Sequence, residues 1–122
     1  KGLKKSQLLF GEHKVKSTQT VCLTEGALDT MWLTQNGYTS LALLGASFSR
    51  EQQARLTALK PEELILCLDS DEAGQKAINK INSCMKDTCM ISWIELPKGV
   101  KDVQEIREQS LLNNVIDNRA FW

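Results

Sequence analysis

Leu64-Ile65-Leu66-Cys67-Leu68 is an unbroken apolar run that ends directly on Asp69-Ser70-Asp71. A continuous run, as opposed to an alternating one, suits a strand covered on both faces, as in a parallel sheet. Leu41-Ala42-Leu43-Leu44 has the same character, and Val21-Cys22-Leu23 and Met90 to Leu96 complete a set of four. Helix-like segments separate them. Gly26 to Asn36 stops at Asn36-Gly37. Ser49 to Leu59 opens on an N-capping serine and ends before Pro61, and Asp71 to Met85 sets Ala73, Ala77, Ile81 and Cys84 at helical spacing. The order β-α-β-α-β-α-β predicts a three-layer α/β domain with right-handed crossovers and a central, mainly parallel four-stranded sheet.

A chain of 122 residues can bury enough surface for a core without disulfides, and 42% hydrophobic with 25% charged residues excludes a disordered or low-complexity chain. It holds no apolar run of the ~18 residues that span a membrane, and no basic-then-apolar segment at its start. It begins at Lys1, as a piece excised from something longer would. Lys plus Arg and Asp plus Glu number 15 each, which removes the simplest argument for nucleic-acid binding, a strongly basic domain. The balance is uneven, however: Lys1, Lys4, Lys5, Lys14 and Lys16 face only Glu12 in the first 18 residues.

Residues 1–18 are therefore expected to be a basic arm with one apolar patch at Leu8-Leu9-Phe10, 19–105 the core, and 106–122 a helical extension. One or two helices are expected between Val103 and Arg119. Phe121 and Trp122 either dock back or mark a cut. Cys22 and Cys67 lie inside apolar runs and read as small buried hydrophobes, Cys84 and Cys89 lack zinc-site spacing and the only histidine is His13, so all four cysteines are expected to be reduced, structural thiols of a cytosolic protein.

Open parallel sheets bind ligands beyond the carboxyl ends of their strands. Strand one ends in Thr24-Glu25-Gly26, strand two in Leu44-Gly45-Ala46-Ser47, strand three in Asp69-Ser70-Asp71 followed by Gly74, and strand four runs into Lys98, Lys101 and Asp102. Glu25, Asp69 and Asp71 should converge there, with Asp102 nearby. Such acids repel one another unless a cation or proton intervenes. An all-oxygen donor set favours Mg²⁺ or Mn²⁺ over zinc. Taken singly, Glu-Gly means nothing and Asp-x-Asp is usually a turn or helix N-cap. Together, each closing a strand and opening a helix, they point to a site. Gly26 and Gly74 suit close helix–strand packing, and Gly26 also close approach of a ligand.

These residues resemble the TOPRIM domain, a Rossmann-like module shared by primases and topoisomerases. The match is Glu25-Gly26-x-x-Asp29 after strand one and Asp69-x-Asp71-x-x-Gly74 after strand three. Leu44-Gly45-Ala46-Ser47, with Ser49 and Gln52, looks like the Leu-Gly-Thr-Ala segment of bacterial primases. LCLDSDEAGQK at 66–76 is close to the primase block FDxDxAGRxA, and Leu96 to Asp102 looks like the final acidic block. The resemblance runs from about Val21 to Glu105. Bacterial primases usually carry a second acid where Gln104 stands here; Glu105 follows, an arrangement more like phage primase-helicases. Ala27 stands where bacterial primases favour an aromatic residue.

The resemblance implies synthesis of short RNA primers on single-stranded DNA by nucleotidyl transfer from NTPs, with a replicative helicase engaged through other domains, in the cytoplasm at the replication fork. It makes Glu25, Asp69 and Asp71 the catalytic set, with Asp102 added as a metal ligand and Asp29 in support. Glu25 is either the third ligand or the general base, and Asp29 either supports the metal or favours the helix N-terminus. Lys98, Lys101, Lys14 and Lys16 are candidates for phosphate or nucleic-acid contact, against a solvated loop and a mobile linker respectively. The same ligands would serve a TOPRIM nuclease, and the fold alone would serve a non-catalytic binding module; an intact acidic set counts against the latter. Tyr38 lies away from the strand ends and is not expected to act as a topoisomerase nucleophile. Trp32 and Trp93 are expected to be core or covering aromatics.

Overall fold

The computed structural model describes residues 8–12, 15, 19–45 and 47–122. Strands β1 (Thr20–Thr24), β2 (Ser40–Ala42), β3 (Glu63–Leu66) and β4 (Met90–Trp93) alternate with helices α1 (Ala27–Gln35), α2 (Arg50–Leu59) and α3 (Glu72–Met85). A 3₁₀ turn (Val103–Glu105), α4 (Gln109–Asp117) and a short β5 (Ala120–Phe121) complete the chain.

The sheet order is β2-β1-β3-β4-β5. The first four strands are parallel, with Cys22 opposite Ser40 and Ile65, and Leu64 opposite Ile91. Side chains alternate across each strand, and this sorts the core into two layers. Val21, Leu23, Leu64 and Leu66 face Leu56 of α2 and Ala77, Ile78, Ile81 and Met85 of α3. Cys22, Ile65 and Cys67 face Leu33 of α1 and Leu112, Val115 and Ile116 of α4, with Val103 and Ile106 between. The expected three-layer α/β architecture is present.

The sheet has five strands, not four. After α4 the chain turns back, and β5 pairs antiparallel with β4 (Trp93 opposite Ala120). Side chains drive this. Arg119 forms a forked pair with Glu63 at 2.5 and 2.9 Å, Ser92 donates to the same carboxylate at 2.6 Å, and the ring of Trp122 lies 4.2 Å from that of Trp93. Phe121 and Trp122 therefore dock back. At the opposite edge Phe10 forms an antiparallel bridge with Ala42.

Helix ends follow local chemistry. Ser49 and Gln52 make a reciprocal capping box on α2. The second apolar run stops being a strand at Ala42, and Leu44 adopts φ 63°, a left-handed conformation that turns the chain out of the sheet. On α3 the buried stripe is Gly74, Ala77, Ile78, Ile81 and Met85. Ala73 is exposed and Cys84 only half-buried, because the face that packs on the sheet runs through Ala77, Ile78, Ile81 and Met85. All four cysteines are free thiols. Among the described residues no helix is long and apolar enough to cross a membrane.

Candidate metal centre at the carboxyl edge of the sheet

The chain leaves β1 toward one edge (β2) and leaves β3 toward the other (β4), so a crevice opens between the carboxyl ends of β1 and β3. Glu25 follows β1 directly, and Asp69 lies just past β3. Glu25, Gly26, Asp29, Leu44, Gly45 and Asp69 line an open cleft of about 390 Å³ there.

Three carboxylates meet beside it. Asp29, Asp69 and Asp102 each offer an oxygen, and these atoms lie within 4.8 Å of one another. Asp29 sits in the first turn of α1 and is 5% exposed. Asp102 arrives from the segment after β4, which is pinned to the β3 end by Ser70: its amide donates to the Lys101 carbonyl at 3.0 Å and its hydroxyl to the Val100 carbonyl at 3.1 Å. Oδ1 of Asp69, Oδ1 of Asp102 and Oε1 of Glu25 are buried and accept no hydrogen bond from the described residues. Unpaired buried carboxylate oxygens are costly, and a cation is the usual compensation.

The electrostatics agree. Burial, reinforced by the charge of Asp102, raises Asp29 to about 6, against the pull of hydrogen bonds from the Gln104 and Gly26 amides. Burial, then the charge of Asp69, pushes Glu25 up. Burial, then Asp102 and Asp71, raise Asp69, with Lys101 opposing. A bound cation reverses this sign by favouring every ionised form. Three converging carboxylate donors without nitrogen or sulfur fit a hard divalent ion.

Asp71 stands outside the cluster. It is exposed and caps α3, its Oδ1 accepting from the Gly74 amide at 2.7 Å. Its charge still reaches Glu25 and Asp69. Asp29, expected in support, stands instead among the three converging carboxylates; its position one helical turn past Glu25 was the available signal.

Gly74 meets the expectation of close packing: a Cβ there would lie 2.0 Å from the Asp69 carbonyl oxygen. Gly26 does not, since a Cβ would meet only Oδ2 of Asp29, at 3.5 Å, an ordinary contact. The Gly45 amide donates to the Glu25 carbonyl at 2.9 Å, tying the β2 loop to the cleft. Lys98 and Lys101 are exposed and form no ion pair among the described residues. Glu105 accepts from the Lys101 amide at 2.9 Å, which shapes the Asp102 loop. Tyr38 donates to Asn113 of α4 at 2.5 Å. His13, Lys14, Lys16 and the earlier lysines lie outside the described residues.

The family model described as Toprim-like matches residues 22–107, and the chain belongs to that family. The curated DNA primase of Thermotoga maritima is 34% identical over 125 residues, covering 97% of this chain and 22% of that protein. Among solved structures, the Aquifex aeolicus primase (zinc-binding and RNA polymerase domains) superposes with a TM-score of 0.79 at 22% identity, covering 98% of this chain and 32% of that one. The primase fragment of the bacteriophage T7 primase-helicase gives 0.67 at 29% identity, over 93% of this chain and 47% of the fragment. The resemblance to primase TOPRIM domains is thus borne out in family and fold. The chain spans under a quarter of the length of the curated relatives it matches, 22% in the case just given and 24% for the primase of Borreliella burgdorferi.

Proposed function

We propose that this chain is the metal-binding catalytic domain of a DNA primase, which makes short RNA primers on single-stranded DNA from NTPs. The observation that carries this is the convergence of Asp29, Asp69 and Asp102 at the crevice of a Toprim-like chain similar to curated DNA primases, with buried oxygens of Asp69, Asp102 and neighbouring Glu25 that have no partner among the described residues. Asp29, Asp69 and Asp102 would hold Mg²⁺ or Mn²⁺, with Glu25 beside them. The cation, when bound, neutralises triphosphate charge and the charge that develops in transfer.

The chain's own groups supply the rest. Glu25 lines the cleft with a raised pKa, which suits it to take the proton of the attacking 3′-hydroxyl while pyrophosphate leaves the α-phosphorus. Asp71, held as the cap of α3, acts through its charge on Glu25 and Asp69 and would complete the catalytic set with them. Lys98 and Lys101, exposed and without an ion pair among the described residues, would meet phosphates. Lys14 and Lys16 are assigned to the template strand on sequence grounds. A replicative helicase would engage other parts of the longer protein, in the cytoplasm at the replication fork.

The test is primer synthesis by the protein that carries this domain, on single-stranded DNA with labelled NTPs and Mg²⁺. Template-dependent oligoribonucleotides, lost in Asp69→Asn, are expected. Metal-dependent cleavage of the nucleic acid without NTP incorporation would mean a nuclease and overturn the proposal.

A further inference from the structure

We infer that Trp32 and Arg107 are positioning residues for the cation site: they clamp the segment carrying Asp102 onto α1. The inference rests on the metal reading above and asks how the third carboxylate is kept in place. Asp102 has no donor on Oδ1 among the described residues, and it faces two carboxylates that repel it. Something must hold it there in the absence of a cation.

Ser70 pins the segment just before Asp102, at Val100 and Lys101; the contacts that hold the segment after it run from one helix. Asp29 and Trp32 lie one turn apart on α1. The amide of Gln104 donates to Oδ1 of Asp29 at 3.3 Å. One turn on, Nε1 of Trp32 donates to the Ile106 carbonyl at 3.0 Å. Arg107 closes the arrangement from outside: its guanidinium lies 4.0 Å above the Trp32 ring, and Nη1 donates to the Gln104 carbonyl at 2.8 Å. Beneath them Val103 and Ile106 are buried in the α1/α4 layer. The stretch from 103 to 107 is thereby fastened to α1 by its backbone at Gln104 and Ile106 and by one cation–π contact. Asp102 immediately precedes that stretch. Neither Trp32 nor Arg107 is among the carboxylate donors, so both act through the backbone that carries Asp102.

A purely structural contact would change the stability of the metal-free domain and leave the metal affinity of the folded protein alone. A positioning contact changes the affinity. The test is Mn²⁺ titration calorimetry on the 122-residue chain, beside thermal unfolding in EDTA, for wild type, Arg107→Gln, Arg107→Lys, Trp32→Phe and Asp102→Asn. Arg107 is exposed, so its variants fold and keep the metal-free melting temperature close to wild type. Arg107→Gln is expected to weaken Mn²⁺ binding about three- to fivefold, and Arg107→Lys, which keeps a cation over the ring, to recover most of it. Trp32→Phe, which keeps a ring but loses the N–H donor, should weaken it about fivefold. If Asp102→Asn binds weakly while Trp32→Phe and both Arg107 variants match wild type, the clamp is wrong and the metal reading stands. If Asp102→Asn binds Mn²⁺ as wild type does, the metal reading fails and takes the clamp with it.

Discussion

A methyl group on Gly74 would lie 2.0 Å from the carbonyl oxygen of Asp69. No side chain can occupy position 74 unless the backbone that presents Asp69 moves. Gly74→Ala should therefore cost about 1–3 kcal/mol of stability, in the range of overpacking substitutions, and also weaken Mn²⁺ binding by displacing Asp69. Denaturant unfolding and Mn²⁺ titration check the two effects. Gly26→Ala is the contrast, because its Cβ would meet only Asp29 Oδ2 at 3.5 Å, and it should cost well under 1 kcal/mol.

Asp29 is raised to about 6, chiefly by burial and then by Asp102. A carboxyl whose folded pKa lies above its unfolded value binds its proton more tightly in the folded state. Its contribution to metal-free stability is thus fullest below the unfolded value and declines as pH rises toward 6, by up to about 3 kcal/mol. Asp29→Asn keeps an oxygen for the Gln104 amide and removes the charge. In EDTA it should melt higher than wild type at pH 8 and show little difference at pH 4. Equal melting temperatures at pH 8 would contradict the burial of this charge.

Asp71→Asn separates the two roles of that residue. Asparagine caps a helix about as well as aspartate, so the hydrogen bond to the Gly74 amide survives and metal-free stability should stay within about 0.5 kcal/mol of wild type. Because Asp71 lies outside the three converging carboxylates, the Mn²⁺-induced rise in melting temperature should largely persist, while primer synthesis by the full protein falls. The same rise should vanish in Asp69→Asn.

At the far end of the sheet, burial raises Glu63, but hydrogen bonds from Arg119 and Ser92 outweigh it and hold the carboxyl below its usual range. Arg119→Met removes the main partner of a buried carboxylate and the anchor of β5, and should cost about 2–4 kcal/mol at neutral pH. Since Glu63 is depressed, the wild-type advantage should shrink as pH falls through the carboxylate range. Melting curves at pH 7 and pH 4 measure both.

What the sequence revealed depended on how local each cause is. Asp69 was legible because the run from Leu64 to Leu68 ends on it, and α2 because Ser49 caps its start and Pro61 follows its end. β5 was not legible: a two-residue strand has no period, and it exists because Arg119 reaches Glu63 across 56 positions. Asp29 was visible as an acid in a first helical turn. Its place beside Asp69 and Asp102 depends on the Gln104 amide folding onto α1 from 75 positions away, which no spacing rule encodes. Asp71 was ambiguous for a physical reason, since an N-cap and a ligand ask for the same side chain at the same place.

The central claim is that Asp29, Asp69 and Asp102 form one divalent-cation site. Mn²⁺ titration of the metal-free chain at pH 7.5, beside the single Asn variants at these three positions, tests it most directly. One saturable site in wild type, lost in Asp69→Asn and markedly weakened in Asp29→Asn and Asp102→Asn, is the predicted result. Wild-type affinity retained in all three variants, or no saturable binding by wild type, would contradict it.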